Sequence, residues 1–155
     1  MKRRTQRGMT LVELIVAFTI MLILTAMAVP LARAKVRAQR ELELSRDLAD
    51  MRYAIDRYKD LADANAFGPI KQGTNGYPES LQQMVDGVKL ANSPNGQKVR
   101  LLRRIPRDPF TGSTEWGIRS DQDEPDSTSW GGQNVFDVYS KTTAKGPDGV
   151  CYCQW

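Results

Sequence analysis

The stretch RGMTLVELIVAFTIMLILTAMAVP, residues 7–30, decides the fold of this chain. A glycine follows a basic run, and the sequence then becomes almost entirely apolar, with no charged residue between Leu14 and Ala32. Counted from Met9, this segment has about 24 residues and would be about 36 Å long as an α-helix, which is enough to cross a bilayer core. The sequence therefore predicts a membrane helix over residues 9–32.

The one acidic residue in this segment is Glu13. An ionised carboxylate in a membrane helix costs roughly 2.5–3.5 kcal/mol on insertion scales unless it is paired. A secretory signal is the alternative, and TAMAVPLARA, residues 25–34, offers small residues where such a signal would be cut. A disposable signal core gains nothing from an acid, so Glu13 favours a retained helix. Pro30 removes one helical hydrogen bond, and we expect a kink or a loosened turn there.

The distribution of charge argues against several functions. The chain has 22 basic and 18 acidic residues, and the four bases Lys2, Arg3, Arg4 and Arg7 precede the apolar segment, so the remainder carries 18 of each. This balance leaves no electrostatic footprint for nucleic acid. The sequence also lacks histidine, the commonest general base and transition-metal ligand. We therefore predict neither an enzyme nor a nucleic-acid-binding protein.

The bases that follow the apolar segment complicate its orientation. Arg33, Lys35, Arg37 and Arg40 nearly balance the basic residues before it. The positive-inside rule alone does not fix which side of the membrane the C-terminal region occupies.

A second periodic pattern follows the membrane segment. Apolar residues recur with 4-3-4-3-4 spacing and charged residues lie between them, which is typical of a helix with one face packed on a sheet. The residues of this stripe are Leu44, Leu48, Met51, Ile55, Tyr58 and Ala62. We predict one helix from about Met9 to about Ala64, amphipathic only in its second half.

Shorter elements complete the chain. ESLQQMVDGV, residues 79–88, predicts a short helix with Leu81, Met84 and Val85 on one face and Gly87 at its end. Three segments are short, aromatic or β-branched and separated by polar turns, so we predict antiparallel strands in TEWGIRS (114–120), NVFDVYS (134–140) and VCYCQW (150–155). The acidic stretch SDQDEPDSTS, residues 120–129, is interpreted as a solvated loop, with a cation site as the alternative.

These patterns predict an α+β fold, in which a long N-terminal helix, membrane half plus amphipathic half, packs on a small C-terminal antiparallel sheet. Residues 1–8 form a basic leader, 9–32 the membrane helix and 33–155 the remaining domain. That domain has its helix to about 64, a connecting region over 65–112 and the sheet over 113–155. Cys151 and Cys153 would share a strand face with their Cα atoms near the upper limit for a bridge, so free thiols and a disulfide both stay open.

The sequence RGMTLVELIVAFTIMLIL, residues 7–24, resembles the leader and helix start of type IV pilin-like proteins. Further segments are similar to the major pseudopilins of type II secretion systems, the general secretion pathway protein G family. These segments are YPESLQQMVDG (77–87), LLRRIPRDPFTGSTEWGIRS (101–120), SWGGQNVFDVYS (129–140) and DGVCYCQW (148–155).

The resemblance implies a processing and assembly site at the N-terminus. A prepilin peptidase would cut between Gly8 and Met9 and methylate the new N-terminus. Glu13 would then pair with the amine of Met9, within one helix or from a neighbouring subunit, and set the register of subunits entering a filament. Pro30 matches the proline at which the helix of this family loosens in assembled filaments.

The resemblance also implies partners and a location. The chain would be a single-pass protein of the bacterial inner membrane with its C-terminal domain in the periplasm. It would polymerise with itself into a short periplasmic filament that drives protein export, working with minor pseudopilins, an inner-membrane assembly platform and a cytoplasmic ATPase. A surface pilin and a membrane-anchored binding module are the alternatives.

Calcium is the one cofactor that the resemblance suggests. Major pseudopilins typically bind it in a loop between their last strands, and Asp148 falls where a ligating aspartate is expected. Related sequences carry further acids near Thr143 and Gln154, and this chain has neither. A calcium ion at Asp148 is therefore one expectation, and a Cys151–Cys153 staple of the same region is the other.

Overall fold

The computed structural model describes residues 10–91, 93 and 95–155, without the side chain of Met27. Two helices, two pairs of short strands and a final 3-10 turn follow one another along the chain. In chain order they are α1 Leu11–Asp63, α2 Leu81–Asp86, β1 Val88–Lys89, β2 Lys98–Val99, β3 Gly117–Arg119, β4 Asp137–Tyr139 and the 3-10 turn Tyr152–Gln154. The single long helix predicted from about Met9 to about Ala64 is confirmed. Contacts divide the chain after Gln39 into two units.

The first unit holds the apolar part of α1. Its polar side chains satisfy themselves within the helix: the hydroxyl of Thr19 donates to the carbonyl of Ile15 at 2.7 Å, and that of Thr25 to Met21 at 2.8 Å. This is how hydroxyl groups are accommodated in an apolar helix without a partner. α1 continues as helix through Pro30. The kink or loosened turn expected at Pro30, and its loosening in filaments, stay predictions.

The second unit, from Arg40 onward, contains the described core. All six residues of the predicted helical stripe are buried, and Ala54 joins them. From the other side this face of α1 meets a cluster of buried residues from the remaining elements: Leu81, Met84, Leu102, Trp116, Val135, Val138 and Tyr152. Burial of large apolar side chains contributes about 1.5–3 kcal/mol each, so this face holds the unit together.

The short helix α2 forms where the sequence predicts it. The hydroxyl of Ser80 accepts a hydrogen bond from the Gln83 amide at 3.2 Å and caps its start. Gly87 ends it with a φ of 84°, a backbone conformation that residues other than glycine rarely adopt. Leu81 and Met84 are buried.

The sheet is smaller than predicted. β3 and β4 pair antiparallel, with Ile118 opposite Val138, which confirms two of the three predicted strands. A Cβ at Gly117 would collide with the ring of Tyr139, so glycine permits this register. β1 and β2 form a separate antiparallel hairpin that periodicity did not reveal, because each strand has only two residues.

The third predicted strand, VCYCQW, is wrong. Only Cys151 forms a bridge, to Lys145, and the chain then turns into the 3-10 helix. The amides of Gln154 and Trp155 donate to the carbonyls of Cys151 and Tyr152, so this backbone is bonded locally and cannot extend a ladder. Tyr152 and Trp155 are three positions apart and both pack against the core, whereas a strand would direct them to opposite faces.

Candidate assembly and membrane segment

The first unit presents an exposed apolar surface that is not part of the second unit's core. Large apolar side chains along residues 11–31 are exposed, from Leu11 at 75% to Leu31 at 74%. By length and composition, this part of α1 is sufficient to cross a membrane, and none of the most apolar stretch is buried. Each exposed large side chain would gain about 1.5–3 kcal/mol on leaving water. Lipid or other protein must therefore cover this surface.

Glu13 lies in the first turn of α1, at the edge of that surface. The Glu13 amide donates to the Thr10 hydroxyl at 3.3 Å, so Thr10 caps the helix. An acid in the first turn interacts favourably with the positive end of the helix dipole. Among residues 10–155 as described, no ion pair involves Glu13. The expected partner, the amine of Met9, and the expected cleavage site at Gly8 lie outside the described residues.

The other predicted site residues are divided between the two units. Pro30 is in the same apolar part of α1 as Glu13, whereas Asp148, Cys151 and Cys153 belong to the last part of the second unit. A disulfide joins Cys151 and Cys153, whose Cα atoms are 5.1 Å apart. Tyr152 between them is fully buried.

Tyr152 connects the final turn to α1. Its ring stacks on Phe110 with centroids 4.3 Å apart and meets the edge of Trp155 at 4.8 Å. Its hydroxyl hydrogen-bonds to the carboxylate of Glu41 on α1. The disulfide thus flanks a side chain that anchors the end of the chain to the core helix.

Asp148 is used by its own turn. Its carboxylate accepts a hydrogen bond from the Val150 amide at 3.1 Å. The described residues contain no group of three or more acidic, histidine or cysteine side chains suited to a metal. Because Ca²⁺ takes six to eight oxygen ligands, usually with several carboxylates, this donor set fits calcium poorly. We derive no role for calcium from it.

A charged cluster that no local sequence pattern indicates joins α1 to the sheet. The Arg52 Nε atom donates to Asp137 at 2.7 Å, and Nη2 of the same side chain donates to the main-chain oxygen of Trp155, also at 2.7 Å. Arg119 reaches Asp137 at 3.5 Å, and its guanidinium lies 4.1 Å from the centroid of the Tyr139 ring. Asp137 thereby links Arg52 of α1 to Arg119 of β3, and Arg52 in turn holds the end of the chain. Helical spacing alone placed Arg52 on the solvated side.

The acidic loop is held by hydrogen bonds to its neighbours. The buried side chain of Asn134 donates to Asp121 at 2.7 Å, and Asn75 donates to the same carboxylate at 2.7 Å. Burial alone would raise the pKa of Asp121, but the hydrogen bonds from Asn75, Asn134 and Ser120 outweigh it, so the pKa lies below its ordinary value. These bonds hold Asp121 of the loop against Asn75 and Asn134.

The pKa of a second carboxyl group, that of Asp47, is raised. Asp47 lies on α1 in a shallow groove with Asp50, Arg103 and Arg104. Its pKa is raised, first by burial and then by the negative charges of Glu43 and Asp50. The shift therefore reflects partial burial of this carboxyl, with the neighbouring acids on the same helix as a smaller cause.

Comparison with known proteins identifies the family. The prokaryotic N-terminal methylation motif matches residues 3–29. Type II secretion system core protein G of Klebsiella michiganensis is 32% identical over 120 residues, which covers 72% of this chain and 73% of that protein. The chain belongs to the type II secretion system core protein G family. The protein of the same name from Pectobacterium carotovorum subsp. carotovorum is 29% identical over 147 residues, covering 94% of this chain and 78% of the relative.

No solved structure matches this chain. Membership of the core protein G family makes it a pseudopilin subunit, and the surface-pilin alternative is not favoured. The apolar helix surface is consistent with a single-pass membrane anchor in such a subunit.

Proposed function

We propose that this pseudopilin is cut between Gly8 and Met9, methylated on Met9, and polymerised into a short periplasmic filament that drives protein export. The observation that supports this most is the exposed apolar surface of α1 with the single acid Glu13 in its first turn. A simple anchor needs the apolar surface but has no use for the acid. A filament subunit needs both.

The chemistry of the cut explains the acid. Hydrolysis of the Gly8–Met9 peptide bond creates an amine on Met9, four residues before Glu13. Two charges that are each costly in lipid become tolerable when they are paired. An amine from an entering subunit that meets Glu13 of a resident one would therefore fix the register between them.

The proposed role defines its partners and its location. The precursor would meet a prepilin peptidase, and the mature chain would meet other copies, minor pseudopilins and the inner-membrane assembly platform. The C-terminal domain would lie in the periplasm, with the helix crossing the inner membrane once. The role is structural, and no catalytic residue is assigned.

Glu13→Ala and Glu13→Gln test this proposal, with Val12→Ala as the matched control for a change beside the acid. We expect both Glu13 variants to insert in the membrane as the wild type does. Their filament yield should fall about a hundredfold or more, because leaving one member of a buried ion pair uncompensated costs about 3–5 kcal/mol. Periplasmic filaments and membrane fractions are quantified by immunoblot.

The two Glu13 variants also separate charge from shape. Glutamine keeps the shape of the side chain and loses its charge, so it should fail as alanine does. Wild-type filament yield from Glu13→Gln would contradict the pairing. A helix of scrambled apolar residues without Glu13 that preserved secretion would support the anchored-module alternative.

A further inference from the structure

Three bases follow directly on the charge-free part of α1. Arg33, Lys35 and Arg37 are exposed, and all three lie in the first unit. Between Leu14 and Arg40 the sequence contains no acid. We call these three residues the basic collar.

The basic collar surrounds the helix. Residues i and i+4 lie on the same side of an α-helix, whereas a residue two positions on points nearly opposite. Arg33 and Arg37 therefore share one side of α1, and Lys35 faces the other. A surface that contacts all three must enclose the helix, as a layer of lipid headgroups does, and a single docked protein would not.

The position of the basic collar matches the depth of a headgroup layer. From Leu11 to Ala32 the helix rises by about 32 Å at 1.5 Å per residue, close to the 30 Å of a bilayer core. With the apolar surface in the bilayer core, Arg33 and Lys35 lie at the depth of the lipid phosphates. Arg37, one turn further, can reach back because long basic side chains bend toward the interface.

Two of these charges have no ion-pair partner in the part of the chain that the structure describes. Among the described residues, no ion pair or side-chain hydrogen bond is formed by Arg33 or Lys35. A base beside an anionic membrane surface gains about 1 kcal/mol, or about fivefold in affinity. The acids further along α1 are in the second unit.

We propose that the basic collar binds the anionic phosphate headgroups of phospholipids at the far face of the membrane from Glu13. This inference deepens the proposed function and rests on its membrane insertion. The collar would hold the resting subunit at a fixed depth, and release from these headgroups would be part of the cost of leaving the membrane for the filament.

The test uses the purified full chain reconstituted in vesicles of equal phosphatidylglycerol and phosphatidylcholine. Alkaline extraction first establishes that the chain is embedded. The chain is then released in mild detergent, and native mass spectrometry counts the phospholipids that remain bound. The variant is Arg33→Gln with Lys35→Gln, and the matched control is Arg46→Gln with Lys98→Gln, which removes the same charge from exposed sites in the second unit.

We expect the wild type and the control to retain phosphatidylglycerol over phosphatidylcholine. In the collar variant this ratio should fall at least about fivefold, the effect of one base. An unchanged ratio in an embedded collar variant would overturn the headgroup site and leave the proposed function intact. An equal fall in the control would also overturn it, since net charge would then explain the effect.

Soluble glycerol phosphate distinguishes the lipid from a free anion. It should leave the ratio unchanged at millimolar concentration, because it lacks the bilayer that presents the headgroups to the collar. Loss of the ratio on its addition would overturn the lipid site. A chain that alkaline extraction removes from the vesicles would contradict both this inference and the proposed function.

Discussion

Replacing Asp137 by asparagine should destabilise the second unit by about 2–3 kcal/mol. The carboxylate contacts Arg52 at 2.7 Å and Arg119 at 3.5 Å. The Arg119 side chain is only 10% exposed, whereas that of Arg52 is 38% exposed. A hydrogen bond to a charged group contributes about 1.5–3 kcal/mol, and an exposed ion pair about 0–1 kcal/mol. Asparagine keeps the shape but removes the negative charge that both guanidinium groups contact.

Urea unfolding of the segment from Arg40 onward measures this loss, because that segment contains every described core residue. Asp60→Asn is the matched control: its pair with Arg57 is 4.0 Å long, and both side chains are more than half exposed. We expect a change below about 0.5 kcal/mol for the control. A loss below about 1 kcal/mol for Asp137→Asn would refute the view that this carboxylate ties α1 to β3.

Three further predictions concern the same unit. Hydrogen bonds lower the pKa of Asp121 below its ordinary value of 3.8, so the stability that its carboxylate contributes should be complete above pH 3.8 and lost as pH falls through the lower folded pKa. Urea unfolding at several pH values should show the difference in unfolding free energy between wild type and Asp121→Asn shrinking as the pH falls below 3.8. A difference that stays constant with pH would contradict this. Reduction of the Cys151–Cys153 disulfide by dithiothreitol should lower the free energy of unfolding by about 1–2 kcal/mol, the small value expected for a short loop. The stability of a Cys151→Ser, Cys153→Ser double variant should not respond to the reductant. A wild type equally insensitive to it would show that the disulfide does not stabilise the turn. A chelator should shift the melting temperature by less than about 1 °C, because one aspartate supplies too few ligands for calcium, whereas a fall of several degrees that calcium reverses would restore the site at Asp148.

The long helix and its buried face could be predicted because their determinants are local. An apolar segment of bilayer length and a stripe at helical spacing are each contained in one stretch of sequence. The burial of Leu44, Met51 and Ile55 depends only on which side of the helix they occupy. The N-terminal motif is equally local, which is why the family was recognisable before its structure was described.

The elements that sequence did not reveal depend on distant partners. Arg52 and Asp137 are 85 positions apart, and no spacing rule connects them. Asn134 is a polar residue that is buried because Asp121 and the main chain of Thr74 accept its amide hydrogens. The final segment alternates like a strand, yet it turns into a 3-10 helix in which the amides of Gln154 and Trp155 bond to carbonyls three residues earlier. Patterns of hydrophobicity cannot show where a hydrogen bond will go.

The most direct test of the central claim is the N-terminal residue and intact mass of the protein recovered from the membranes of its own host. The proposed function predicts a chain that begins at a methylated Met9, with residues 1–8 removed. An intact Met1, or a cut near Ala34 that removes the apolar helix with Glu13, would contradict it.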